Sequence, residues 1–348
     1  MVRESAAVPE IPSADVRVSG ARPVAYGIIY RMKKKCTDRP APSRRQFLKG
    51  FGCAAVAGMA SPILAAADDD ALDIWQRETD LVTADIYRQY MRDGDTRGFA
   101  TLENLEKAFD KVLREALAAK VEAEPAVWSV YNMGYVVKTR EALFSIDLVH
   151  RRAAELAPHL DFALITHNHG DHWRQDFYQE MDGAGKMVIS NFLDNYGAAD
   201  WKKGGSAWYA NGGYTRAQKV FRLKDTEIRT SLVDHNRYLI DFTTAFEIRV
   251  GSWIMYHTGD CGAGSEGKLG TVWGKPDLWT FFPGCGIDVA KAVRLVKPKR
   301  IVFGHLWELG HKTGRLTTPM VRCALKAAQP LCGNVAAALW GDKLTGKG

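Results

Sequence analysis

Between Ile165 and Trp173 the chain reads Thr166-His167-Asn168-His169-Gly170-Asp171-His172. Three imidazoles and a carboxylate crowd into six residues. Imidazole and carboxylate are borderline-to-hard donors, suited to zinc, iron or manganese. The apolar run Phe162-Ala163-Leu164-Ile165 precedes them and reads as a buried strand. A turn at the end of such a strand would gather four donors at one point, and Gly170 is expected to let the backbone bend tightly there.

This run is the HxHxDH motif of the metallo-β-lactamase superfamily, and the chain from about Val127 to Leu309 resembles that family. The family pattern continues with a distant His, an Asp and a final His, each at a strand end. His235 follows the β-rich run Ile228–Asp234, Asp260 lies just past Trp253–His257, and His305 follows Ile301-Val302-Phe303-Gly304. The resemblance implies that His167, His169 and His235 bind one divalent ion. It implies that Asp171, His172 and His305 bind a second, and that Asp260 bridges them. One or two ions are expected, zinc foremost, with manganese or iron as alternatives. A water between the ions would lose a proton near neutral pH and attack a carbonyl or phosphoryl centre, while the ions take up charge developing on the substrate oxygen. Asp171 would orient that water, or protonate the leaving group if the second ion is absent. The implied activity is hydrolysis of a small-molecule ester, lactone, amide or phosphodiester, on a four-layer αββα sandwich.

The stretch Ser231–Asp260 resembles the branch that contains ascorbate-6-phosphate lactonase and the phosphodiesterases that release acylethanolamines. The matching residues are His235-Asn236-Arg237, Gly251-Ser252 and Thr258-Gly259-Asp260. Asn236 stands where that branch often has Trp or Ser, and Cys261 where Thr is usual. These departures keep the ligands and loosen the substrate assignment. Two other readings of the ligand set stay open. One is iron-dependent oxidation of thiols or persulfides on the same fold. The other is a non-catalytic periplasmic binding protein, against which the nearly complete ligand set argues.

Residues near the motif carry plainer readings beside the functional ones. His257 fits core packing, or a hydrogen bond to a ligand, better than ligation. Tyr131-Asn132-Met133-Gly134 joins two expected strands. In this fold such a hairpin overhangs the metals, which makes Tyr131 and Asn132 candidate pocket residues, but a plain β-turn explains them equally well. Trp307, Glu308 and His311 follow His305 and line either the pocket or a surface loop. His150 and His159 flank an expected helix and read as solvated. Cys261 and Cys285 each lie near an expected strand end. Pairing between them, or between Cys323 and Cys332, is left open beside the simpler reading of buried thiols.

The expected elements must carry these residues to one place. Leu72, Trp75, Leu81, Ile86, Tyr87 and Tyr90 recur at helical spacing up to Gly94, and a second helix is expected over Leu102–Ala119, so residues 68–122 form a helical prefix. Residues 123–348 form the main domain. Its β-rich runs are Val127–Tyr131, Tyr135–Thr139, Ala142–Ile146, Phe162–Thr166, Lys186–Ile189, Ile228–Asp234, Ala245–Val250, Trp253–His257, Leu278–Phe282 and Arg300–Phe303. Helices are expected at Val149–Leu156, Gly286–Val296 and Thr318–Ala328, and Trp201–Tyr214 reads as a long loop. Two sheets with helices outside satisfy this order, giving an α/β fold with an N-terminal helical extension.

Residues 1–67 read as a leader. Ser43-Arg44-Arg45-Gln46-Phe47-Leu48-Lys49 resembles the twin-arginine export signal, an uncharged stretch follows from Gly50, and Ala65-Ala66-Ala67 offers a small-x-small cleavage site. Translation from Met32, ahead of Lys33-Lys34-Lys35, would make residues 1–31 a gene-model extension. Export to the periplasm or medium is expected, with the twin-arginine machinery as partner and no stable membrane span in the mature protein. The leader holds 11 Lys/Arg and 4 Asp/Glu of the chain's 47 and 40, so the net charge of +7 belongs to it entirely and the body is neutral. That excludes a nucleic-acid partner on grounds of overall charge.

Overall fold

The computed structural model describes residues 64–65, 69–192, 219–310 and 316–345. All of them fall within the unit Ser43–Gly348. The twin-arginine run, its apolar stretch up to Ile63, the Trp201–Tyr214 segment and His311 lie outside the described residues.

The prefix folds as three helices: α1 (Asp69–Asp80), α2 (Ala84–Asp93) and α3 (Ala100–Ala118). The expectation of one helical run through Leu81 is corrected. Thr83 takes extended backbone and its hydroxyl accepts from the Ile86 amide, so it caps a new helix. Leu81 falls in the break and is exposed. Gly94, at φ 76, ends α2 with its amide bonded to the Tyr90 carbonyl.

The first sheet has the order β2-β3-β4-β5-β6. Its strands are β2 (Ala126–Ser129), β3 (Tyr135–Lys138), β4 (Leu143–Ile146), β5 (Phe162–Ile165) and β6 (Met187–Ser190). The second holds β1 (Leu64–Ala65), β7 (Val220–Leu223), β8 (Thr226–Val233), β9 (Thr243–Val250), β10 (Trp253–His257), β11 (Leu278–Phe281), β12 (Ile301–Phe303) and β13 (Val335–Ala337), in the order β1-β13-β12-β11-β10-β9-β8-β7. Both sheets mix antiparallel hairpins with a parallel part: β4, β5 and β6 run parallel, as do β10 to β13. Parallel strands deliver their C-terminal ends to one edge, where an open α/β sheet presents its loops to ligands.

The sheets face one another. Tyr135 of β3 packs edge-on to His257 of β10 with ring centroids 5.5 Å apart, and the Thr244 amide bonds the Thr166 carbonyl at 2.8 Å. Helices cover the outside: α3 lies on β2 and β3, α5 (Gln175–Gly183) packs beside β6 with α4 (Ala153–Leu156) against it, and α6 (Val289–Val296) pairs with α7 (Thr318–Ala328), which lies next to β13. One hydrophobic cluster from Leu72 to Leu344 joins the prefix to both sheets. The fold is α/β, a two-sheet sandwich with helices outside, as expected from the order of elements. No described helix is long and apolar enough to cross a membrane.

His150 corrects the solvated reading. It is buried, stacked on Phe109 of α3 at 4.2 Å, with Nε2 3.0 Å from the Tyr90 hydroxyl. Burial pushes its pKa down to about 3, so it stays neutral. The prefix helices cover it, and a lone His beside a helix carries no sign of that. His159 is exposed, as expected.

Candidate metal centre

The HxHxDH run leaves the C-terminal end of β5 and turns back at once, with the His172 amide bonded to the His169 carbonyl. Gly170 does not serve as the hinge expected of it. Its φ is not positive and a Cβ there would meet nothing within 4 Å. The glycine that the site does require is Gly259, at φ 49, where a Cβ would sit 2.9 Å from the Thr166 side chain. It lets the loop after β10 press Asp260 against the end of β5.

His235 stands beyond β8, Asp260 beyond β10 and His305 beyond β12. The fold brings all seven residues together. Potential ligand atoms of His167, His169 and His235 lie within 4.8 Å of one another, as do those of Asp171, His172 and His305, and those of His167, His172 and Asp260. Asp260 touches both triplets: Oδ1 is 3.2 Å from His172 Nε2, and Oδ2 is 3.5 Å from His235 Nε2 and 3.6 Å from His305 Nε2. Asp171 Oδ2 lies 2.9 Å from His305 Nε2.

These donors fit divalent cations. The Nε2 atoms of His167, His172, His235 and His305 are buried, and none makes a hydrogen bond despite the short carboxylate contacts. A buried polar atom without a hydrogen bond costs about 1–3 kcal/mol, which a cation at the centre would offset. The opposite faces of two rings are committed. His172 Nδ1 is 2.8 Å from Asp147 Oδ2, which makes it the protonated nitrogen and leaves the Nε2 lone pair facing inward. Thr166 Oγ1 donates to Asp147 Oδ2 at 2.6 Å and so accepts from His167 Nδ1 at 3.0 Å, fixing the same tautomer there.

The electrostatics follow from these contacts. Burial drives His167 well below the usual imidazole range, and burial with the neighbouring His235 lowers His169 to about 4, so both are neutral donors at pH 7. Burial would also depress His172 and His305, but Asp260 and Asp171 around them, with Asp147 at His172, hold both above the ordinary value. Burial would raise Asp171; His172 and His305 outweigh it and hold the carboxyl well below its usual range. Asp171 is therefore an anion at neutral pH.

Sequence reasoning missed Asp147. It follows β4 at φ 44, fully buried, and accepts from the Thr166 amide (2.7 Å), the Thr166 hydroxyl and His172. His257 Nε2 lies 3.4 Å from the same carboxylate, with Nδ1 on Thr280 Oγ1 at 2.8 Å. His257 thus supports the anchor of a candidate ligand, as its alternative reading allowed. The signal for Asp147 was an acidic residue closing the apolar run Leu143–Ile146. Two aromatic walls were also missed: Phe242 packs on His167, His169 and His235, and Phe282 stacks on His305 at 4.2 Å.

The candidate pocket residues divide. Asn132 forms the β2–β3 turn at φ 52, its carbonyl accepts from the His305 amide at 2.9 Å, and its buried amide group has no hydrogen bond. It abuts the centre. Tyr131, Trp307 and Glu308 are buried and tied to the prefix side: Trp307 stacks on Trp75 at 5.6 Å, Tyr131 packs on Tyr87 at 5.7 Å, and the Tyr131 hydroxyl accepts from the Leu309 amide. They support the loop that carries His305. Cys261, Cys285 and Cys332 are free thiols, so neither disulfide left open by the sequence forms.

No protein-family profile and no curated protein matches the chain. Several solved structures are similar to part of it. A metallo-β-lactamase-fold protein from Bacillus subtilis is 16% identical, covering 64% of this chain and all of its own, with a TM-score of 0.43. An isothiocyanate hydrolase from Delia radicum gut bacteria is 13% identical over 64% of this chain and all of its own, TM-score 0.45. The diiron β-hydroxylase CmlA from Streptomyces venezuelae is 15% identical over 72% of this chain and 61% of its own, TM-score 0.45.

Proposed function

We propose that this chain is a metal-dependent hydrolase acting on an ester, lactone, amide or phosphodiester of a small molecule. One observation carries the reading: seven donors from four separate loops converge as two triplets joined by Asp260, with buried imidazole nitrogens that make no hydrogen bond. Divalent cations bound there, zinc foremost, would supply an acidified water and compensation for charge on the substrate oxygen. The chain's residues do the rest. His167, His169 and His235 serve one position, Asp171, His172 and His305 the other, and Asp260 both. Asp171, anionic, accepts a hydrogen bond from a reacting water and so orients it. Phe242 and Phe282 shield imidazole faces from bulk water, which strengthens every charge interaction inside. No serine or cysteine nucleophile is needed.

The seven-residue run Ser43–Lys49 supports a further part of the proposal: export by the twin-arginine route to the periplasm or medium, after the protein has folded around its cations.

The test is elemental analysis and a substrate panel on one preparation. Metal-loaded protein should turn over at least one ester, lactone, amide or phosphodiester, and stripping by chelator should abolish turnover. A preparation that holds stoichiometric cation yet hydrolyses none of the panel would overturn the hydrolase reading.

A further inference from the structure

Cys285 lies in the loop after β11, between Gly284 and Gly286, and none of the seven expected donors includes it. A ligand atom of His235, a carboxylate oxygen of Asp260 and the Cys285 sulfur all lie within 4.8 Å of one another. The sulfur stands 3.9 Å from His235 Nδ1.

The other free thiols show how a structural cysteine sits here. Cys332 Sγ points at the carbonyls of Pro298, Lys299 and Asn334, and Cys261 Sγ donates to the Thr258 hydroxyl at 3.4 Å. Among the described residues the Cys285 sulfur has no such backbone or hydroxyl partner; it faces His235 and Asp260. Beside it, Asp260 Oδ1 and His235 Nε2 are buried atoms without hydrogen bonds.

We propose that Cys285 is an eighth member of the ligand set, its thiolate joining His235 and Asp260 around a divalent cation. This rests on the reading that cations bind at this centre, and not on which bond the enzyme hydrolyses. Cation binding would deprotonate the thiol and release its proton to solvent. A sulfur donor makes that position softer than an all-nitrogen-and-oxygen site, favouring zinc or cadmium over manganese.

The experiment titrates the metal-free full chain with cobalt(II) under anaerobic conditions and records its absorption spectrum. The expected result is a near-ultraviolet sulfur-to-cobalt charge-transfer band alongside visible ligand-field bands. Cys285→Ser should lose the first and keep the second, while Cys261→Ser keeps both. Cadmium affinity should fall at least about tenfold in Cys285→Ser, with manganese affinity unchanged. Peptide mapping after iodoacetamide gives a readout free of substitutions: zinc should protect Cys285 from alkylation in the unsubstituted chain. Visible bands without the charge-transfer band, a band that survives Cys285→Ser, or equal alkylation with and without zinc would overturn the proposal and leave the hydrolase reading standing. No cobalt spectrum at all would overturn both.

Discussion

Replacing Asp147 by Asn changes one atom of a side chain that touches no substrate, yet it should weaken both halves of the centre. The native carboxylate receives the Thr166 amide, the Thr166 hydroxyl and the His172 Nδ1 proton at 2.6–2.8 Å. Asn can keep the first of these with its oxygen, and it tolerates the positive φ of 44. Its NH2 then faces His172 Nδ1, and two donors cannot share that contact. The ring relieves the clash by moving its proton to Nε2, the atom that faces Asp260 and Asp171. A protonated Nε2 has no lone pair for a cation. Loss of such an outer hydrogen bond typically costs 10–100-fold in metal affinity, or about 1.4–2.7 kcal/mol. The Asn NH2 also faces the Thr166 hydroxyl, which then donates to His167 Nδ1 instead of accepting from it, so the cation held by His167, His169 and His235 weakens as well. Zinc competition against a chromophoric chelator should show both stoichiometric steps weakened by about one to two decades. Folded Asp147→Asn protein that keeps either affinity refutes the argument.

Three further outcomes can be measured independently. The His169 side chain is half-buried and makes no hydrogen bond among the described residues, so His169→Ala should abolish activity and one equivalent of zinc while changing metal-free stability by less than about 1 kcal/mol; an unfolded or fully active variant contradicts the assignment. Asp342 is buried with Oδ1 unpaired, and burial raises its pKa to about 7 although the Leu339 amide bonds the other oxygen. The folded state therefore holds this proton more tightly than the unfolded chain. Its contribution to stability is present below about pH 4 and is lost as pH rises to about 7, by as much as roughly 4 kcal/mol. Urea unfolding at pH 5 and pH 8 should show Asp342→Asn removing most of that fall; an unchanged slope would refute it. Changing Arg44-Arg45 to Lys-Lys should hold the precursor in the cytoplasm, and an unaltered periplasmic yield would rule out the twin-arginine route.

What could be read from the sequence followed the range of the interactions. The HxHxDH run is legible because a single turn holds four donors, so residue type and spacing suffice. The strands were legible where apolar residues run unbroken, as in Trp253–His257, and helix α7 fell on its expected bounds, Thr318–Ala328. Short strands toward the two ends of the second sheet escaped: β7 alternates exposed and half-buried residues over only four positions, and β13, Val-Ala-Ala, carries little strand propensity of its own. Both exist because a neighbouring strand supplies their hydrogen bonds.

The same rule decides which site residues stay hidden. His235, Asp260 and His305 were found only through the ordered pattern of a family resemblance, since each is a lone residue after a strand. Asp147 and Cys285 have no such pattern to betray them. Asp147 matters because two sheets meet: β4 and β5 run parallel with Ile146 beside Leu164, which sets the next residue of one strand against Thr166 of the other, and His257 arrives from the opposite sheet. Cys285 matters because parallel strands β10 and β11 end at the same edge, so the loop after β11 meets the loop after β10 and the ring of His235. A residue whose role is created by register between distant strands leaves no mark within its own sequence window. Shifting the register by one residue would turn Asp147 to the opposite face and remove its contacts without altering any local motif.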